Sequence, residues 1–578
     1  MAGQERVSWA AALWKAAQGT GIVEDMRLKP STAGLVGAHV MSWVSLSPSF
    51  IPRTWWMTAV STGFSQAFGY LVGAAGHGLA RSAVRLTGAE IAVDPARLQP
   101  VRERVPWAMA GISAVAWLRS VNRQAEICGL METRPIPLKE HAYGTVMGAV
   151  LGASLIQAGR ALTAGGQAVS RVLRPALPEP AAALAGAVVA GAVTTLVLDK
   201  VVYRRLLERV SRAAHETNDL LLPGRFQPTE PERSGSPASL EPWDTLGSKG
   251  QAVVSDGPRA VDIEAATGEP GLTPIRAYAG WREDRDLEAT AQAVVAELRR
   301  TGGFERKVLL VINTTGTGWL QEWSASAVEF LTGGDCALAA MQYTYLPSGV
   351  AMVVDRATPT AAGEALLHAV EAELATRPAD RRPMLLVGGE SLGALGGTSA
   401  FDGLQDMLER VDGAVWTGMP RISAFWRQLV SRRHLGTPEI LPVVDDGRHV
   451  RFVSRPRDLV TDITGVDYGE WHHPRVVVAQ HPSDPVVWWS PELMWREPEW
   501  TREQAGSDVS RSVRWMPWVT FWQVASDMPR SATVPGGHGH RYLEEMVSYW
   551  AAVLGLDPLE DRSRIVQAIR RLIVPSEG

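Results

Sequence analysis

Long uncharged runs confine the first third of this chain more than any other feature. Residues 31–52, 54–80, 142–159 and 180–198 contain no Asp, Glu, Lys or Arg. A helix crossing the apolar core of a bilayer needs about 20 such residues, roughly twice what a buried soluble helix requires. A shorter run, 105–118, is expected to be a further span or a re-entrant segment. The pattern predicts an α-helical transmembrane bundle of four or five spans within residues 1–212. It also predicts a multi-pass location in a cell membrane, with membrane lipid as the partner. The first run starts at Ser31 and leads into more runs rather than a small-residue cleavage site, so it does not read as a cleavable signal peptide.

Between the first two runs lies Ser47-Pro48-Ser49-Phe50-Ile51-Pro52-Arg53, whose prolines break the helix and whose arginine suits a headgroup level. Small residues crowd Gly148–Gly152 and Ala183–Gly191. Such faces either let helices approach closely or simply present alanine to lipid. Lys and Arg flank nearly every run, so charge leaves open which side of the membrane the C-terminal half faces.

A chain of 578 residues exceeds what one core can organise. Its net charge of -4 and lack of basic runs interleaved with aromatics exclude a nucleic-acid partner. Two cysteines, Cys128 and Cys336, are too few for a disulfide framework and are expected as free thiols. Residues 213–270, with Pro- and Ser-rich segments such as Pro228–Pro237, read as a linker. From 271 to 578 strands and helices alternate. Strands are expected at Pro274–Tyr278, Lys307–Asn313, Ala337–Tyr345, Pro383–Val387, Val450–Ser454 and Arg475–Gln480. Helices are expected at Asp284–Arg300 and Ala361–Thr376. This rhythm implies an α/β domain with a mostly parallel sheet covered on both faces.

The chemistry concentrates where the apolar strand from Met384 runs into Gly389-Glu390-Ser391-Leu392-Gly393. A strand–turn–helix context turns this G-x-S-x-G into a nucleophile elbow: the turn lifts the hydroxyl clear of the sheet, and glycines on either side leave room for it. A serine needs a base and an orienting acid, and in this arrangement they follow in the order Ser, acid, His. Asp484, in the loop after the Arg475–Gln480 strand, is the expected acid, with Asp458 and Asp462 as the next candidates. The glycine-rich Pro535–Tyr542 loop, ahead of a helix at Leu543–Leu554, offers His538 as base and His540 as the alternative. The oxyanion hole needs backbone N–H groups from Leu392 and from one of Thr315, Gly316 or Thr317 after an early strand. No G-K-[ST] follows those glycines, so nucleotide binding is not expected. The H-x-H pair lacks nearby carboxylates in sequence and is not read as a metal site. Neither metal nor cofactor is expected.

These residues resemble a bacterial family of membrane-anchored α/β-hydrolases whose substrate is unassigned. The resemblance covers nearly the whole chain. It rests on Ser47–Arg53, Thr315-Gly316-Thr317-Gly318-Trp319, Gln342–Pro347, Gly389–Gly393, Ser483–Trp489 and Gly537–His540. It implies an α/β-hydrolase fold and a triad of Ser391, Asp484 and one histidine of the Gly537–His540 block. A serine esterase or lipase acting on a lipid or acyl ester is the expected function. An acyltransferase using the same triad and a non-catalytic membrane scaffold are the competing readings. The tryptophans from Trp488 to Trp522 are expected either to line an acyl-chain cleft or to serve as ordinary core and as contacts to the spans.

Overall fold

The structure, a computed structural model, describes residues 30–87, 95–218, 220, 223–503 and 505–573. It divides into two compact units: Met1–Gly129 with Arg134–Arg209 and Trp515–Ser526, and Leu130–Thr133 with Val210–Arg514 and Asp527–Gly578.

The first unit is helical. Its helices are α1 (Thr32–Ser45), α2 (Trp55–Thr87), α3 (Pro95–Leu130), α4 (Leu138–Leu173) and α5 (Glu179–Leu196). Glycines set how closely they pack. A methyl group on Gly37 of α1 would lie 2.2 Å from the carbonyl oxygen of Gly69 of α2. Gly144, Gly148 and Gly152 of α4 meet Thr58, Thr62 and Gln66 of α2 at successive turns, and Gly166 meets Gly186 of α5. The segment between α1 and α2 is buried. The Arg53 guanidinium donates to Ser49 Oγ and Ser45 O, and its backbone N–H to Gln124 Oε1.

The expectation of four or five spans is not met by length and hydropathy. Among the described residues two helices are long and apolar enough to cross a membrane: α4, and the run Glu179–Asn218 that begins with α5. With 14 residues, α1 reaches only about 21 Å at ~1.5 Å per residue, short of a ~30 Å hydrocarbon core. Serine, glycine and histidine dilute α2, and charged residues at Arg119, Arg123 and Glu126 interrupt α3.

The second unit is an α/β sandwich around a seven-stranded sheet: β1 (Ile275–Ala279), β2 (Val308–Asn313), β3 (Cys336–Met341), β4 (Met384–Glu390), β5 (Gly413–Thr417), β6 (Val450–Val453) and β7 (Arg475–Ala479). The strand order is β1-β3-β2-β4-β5-β7-β6 and every pairing is parallel. Unbroken apolar runs suit strands buried on both faces. Helices Leu287–Thr301 and Ala357–Ala375 pack against each other, as do Glu322–Leu331 and Glu545–Val553. β4 is the central strand, and β5 is the strand the sequence reading missed.

Residues 213–270 are not a loose linker. They hold helices Gly247–Ser255 and Ala260–Thr267. Buried Arg233 donates to the carbonyls of Val254 and Pro258, and a bridge pairs it with Arg276 of β1. Arg276, fully buried, forms paired bonds of 2.6–2.9 Å to both Glu322 and Glu329. An arginine fork satisfied at every nitrogen is the form in which a buried charge is tolerated.

The tryptophans divide between core and helical unit. Trp488 and Trp500 are buried, with ring centroids 6.0 Å apart. Trp518 and Trp522 stack on Phe68 and Phe64 of α2, at 4.7 and 3.9 Å. Trp495 is exposed. The others are positions in the core and in contacts to α2.

Candidate active site

At the end of β4, Ser391 has φ 57° and ψ -117°, a conformation that costs a non-glycine residue about 1–3 kcal/mol. Its neighbours show why the turn needs glycine. A methyl group on Gly389 would sit 2.7 Å from the Gly393 carbonyl carbon, and one on Gly393 would sit 2.2 Å from the Asn313 oxygen at the end of β2. The Ser391 N–H is tied to the Thr417 carbonyl of β5 at 3.0 Å, and its own carbonyl opens the helix Leu392–Thr398 through Leu395 N–H.

Parallel strands deliver their following loops to one edge of the sheet. The loop after β7 carries Asp484, which is fully buried. Its Oδ1 accepts the Val486 N–H at 2.8 Å, while Oδ2 accepts the Tyr542 hydroxyl at 2.9 Å and lies 2.7 Å from His540 Nδ1. A carboxylate there makes Nδ1 the protonated nitrogen of His540 and leaves Nε2 with a free lone pair when the ring is neutral. The ring sits over Gly418, next to the residue that anchors Ser391: a methyl group on Gly418 would lie 2.3 Å from its Cε1. Burial pulls His540 down, but the charge and hydrogen bond of Asp484, followed by the charge of Glu390, raise it to about 9.

His538, favoured in the sequence by its flanking glycines, faces a different acid. Its Nδ1 lies 3.1 Å from Asp508 Oδ2. Asp508 also takes a short bond from the Ser483 hydroxyl, and Ser483 Oγ accepts the Gly539 N–H at 2.8 Å. His481 Nδ1 donates to the Gly539 carbonyl at 2.9 Å, and its Nε2 lies 3.2 Å from Glu545. The Pro535–Tyr542 loop is thus pinned on both sides of His540.

The other candidate acids serve their own loops. Asp458 accepts from Ser454 N–H, Ser454 Oγ and Arg455 N–H, and Asp462 from Thr464 and Val466. In the loop after β2 the Thr315 N–H is committed to the Trp319 carbonyl at 2.8 Å, which removes Thr315 from the three donor candidates of that loop. Gly316 is pressed against the Leu346 carbonyl, where a side chain would collide. Below the elbow, a small cavity is lined by Asn313, Thr315, Gln321, Glu390 and Thr417. Sequence reasoning missed Asp508, Tyr542, Ser483, Gln321 and Glu390. Glu390, Ser483 and Tyr542 stood inside segments the sequence singled out, without a role of their own, whereas Asp508 and Gln321 stood outside any.

An all-parallel sheet with a strained serine on its central strand, and an Asp–His pair on later loops of the same edge, defines an α/β-hydrolase class of protein. Residues 275–564 match the sequence model of an alpha/beta-hydrolase family, and residues 46–258 match that of the alpha/beta-hydrolase family N-terminus; the chain belongs to this family. No curated protein matches it.

Proposed function

We propose that the chain is a membrane-bound serine hydrolase of esters, with Ser391 as nucleophile, His540 as base and Asp484 as the acid that orients it. The observation that carries this reading is the 2.7 Å contact of His540 Nδ1 with a buried Asp484, beside an elbow that holds Ser391 at positive φ. His540 takes the role the sequence offered first to His538, because its carboxylate is the one on the loop after β7 and its ring packs on Gly418 next to the elbow.

In this mechanism Ser391 Oγ attacks the ester carbonyl as His540 Nε2 takes its proton. Asp484 stabilises the imidazolium that forms. The oxyanion is met by the N–H of Leu392 together with that of Gly316 or Thr317. The imidazolium then returns the proton to the leaving alcohol, and water, activated by the same nitrogen, releases the acid from Ser391. The apolar length of α4 and α5 supports a membrane location, and with it a lipid or acyl ester as substrate.

The test is covalent labelling of the purified protein by a fluorophosphonate, alongside hydrolysis of p-nitrophenyl esters. Ser391→Ala is expected to lose labelling and to lower kcat by a factor on the order of 10⁴–10⁶ while the protein stays folded. Labelling of Ser391→Ala at the wild-type rate would refute the assignment.

A further inference from the structure

Glu390, the residue between Gly389 and the nucleophile, is not used by the mechanism above. Its side chain is buried at the end of β4. Oε2 accepts from Gln321 Nε2 at 3.1 Å and from the Thr417 hydroxyl at 3.3 Å, while Oε1 lies 3.9 Å from His540 Nε2. At that separation Nε2 is not hydrogen-bonded to Glu390, so its lone pair stays open to a serine hydroxyl. The same Gln321 Nε2 donates to the Tyr542 carbonyl at 2.7 Å, linking Glu390 to the loop that carries the base. His540 therefore stands between two buried carboxylates, Asp484 at Nδ1 and Glu390 towards Nε2.

We infer that Glu390 is a positioning residue that holds a second carboxylate against the proton-accepting edge of His540 and thereby sets the pH range in which the base works. The inference rests on the Ser391–His540–Asp484 reading. A negative charge there favours the imidazolium, which has two consequences of opposite sign. Below the pH at which His540 becomes neutral, Glu390 keeps the base occupied and the enzyme idle. Once the reaction starts, the same charge stabilises the imidazolium as it forms.

The groups around the pair are few. The base loop brings His540 and Tyr542, and the loop after β7 brings Asp484. Gln321 and Thr417, from the loop after β2 and from β5, are uncharged. His481 stacks on Tyr542 at 4.1 Å and is paired with Glu545. Burial pushes the Glu390 carboxyl up, the His540 charge opposes this, and the result is about 7. Over the working range of an alkaline base, Glu390 is thus ionised.

The experiment is the pH profile of kcat/KM for p-nitrophenyl acetate, measured on the full-length protein in detergent for wild type, Glu390→Gln and Ser391→Ala. Wild type is expected to gain activity through an ionisation well above the ordinary histidine value of about 6.5. Glu390→Gln, which keeps the shape and can still accept from Gln321, is expected to move that limb down by about half a pH unit or more and to lower the plateau kcat with KM unchanged. If Glu390→Gln does not accumulate as folded protein, Glu390→Asp, whose carboxylate is drawn back by one methylene, is expected to move the limb the same way by less. A limb that stays put in the folded variant overturns the inference, as does a wild-type limb at or below the ordinary histidine value. If Ser391→Ala has lost activity in that case, the triad reading survives; if it has not, both fall.

Discussion

Two histidines separated by one glycine each face a buried carboxylate, and what those carboxylates otherwise hold distinguishes them. Asp484 is bonded to Tyr542 and to the Val486 N–H, groups that fix it on the loop after β7. Asp508 is bonded to Ser483, which in turn holds Gly539. In the proposed mechanism the first pair serves the elbow, and the second pins the loop that carries it. His540→Ala and Asp484→Asn are therefore expected to lower kcat by factors on the order of 10⁴, whereas His538→Ala and Asp508→Asn should cost about tenfold, through loosened placement of the base. Single-turnover rates with a p-nitrophenyl ester check this, and an inverted order would make His538 the base. The elbow at Ser391 and the loop that carries Asp484 were legible in the sequence because each sits beside a strand end with its own local signal. Which histidine of the Pro535–Tyr542 loop faces Asp484 was not. His538 has the more permissive glycine neighbours, but the path of the loop is set by distant partners, such as the Ser531 carbonyl that accepts the His540 N–H. Asp508 lies in a stretch with no strand or helix pattern, so nothing local marks it.

At the scale of elements, glycine spacing carries the packing of the helical unit. Gly148 of α4 lies against Thr62, where a methyl group would come within 2.9 Å of its Cβ, whereas Gly159 of the same helix meets nothing within 4 Å. Leucine at either position raises helix propensity by up to about 1 kcal/mol. At Gly148 it must also push α2 away, an overpacking cost of about 1–3 kcal/mol. Gly148→Leu is expected to lower the midpoint of thermal unfolding in detergent and Gly159→Leu to leave it unchanged or raise it. Equal midpoints for the two variants would mean that α4 does not pack through this face. The small residues were visible in the sequence, but which of them face a neighbour depends on helix rotation, which composition does not encode. β5 escaped for a related reason: Gly413-Ala414-Val415-Trp416-Thr417 is five residues long, opens on a glycine and gains its strand character from pairing with β4 and β7 on either side. The segment 213–270 misled in the other direction. Its prolines and serines form turns that wrap β1, and the buried Arg233 that organises them looks in sequence like one more solvated charge.

For the whole molecule as the proposed membrane protein, the number of spans decides on which side of the membrane its two ends lie. Val146 and Val150 of α4, and Leu184 and Val188 of α5, are each more than half exposed, on helices that bury little of their length. Outward rows of β-branched and leucine side chains along several turns suit the apolar surround that the proposed membrane location supplies. Retention in the membrane fraction after alkaline carbonate washing is therefore expected, and release into the supernatant would show that these faces are covered by protein instead. The connection from α4 to α5 is only Arg174–Pro178, so two spans joined by this turn return the chain to the side it left. Both flanks, residues up to Pro137 and residues from Arg204 onward, then share one side, whereas five spans would separate the chain ends. Epitope tags at the two ends, probed with protease on sealed vesicles, are expected to be cut or protected together. A cysteine introduced at Ala176 should react with an impermeant maleimide only from the opposite side; the native Cys128 and Cys336 are buried and should contribute little signal. Opposite protection of the two tags would restore an odd number of spans and require one or all three of α1 to α3 to cross as well, despite the short reach of α1 and the polar content of α2 and α3.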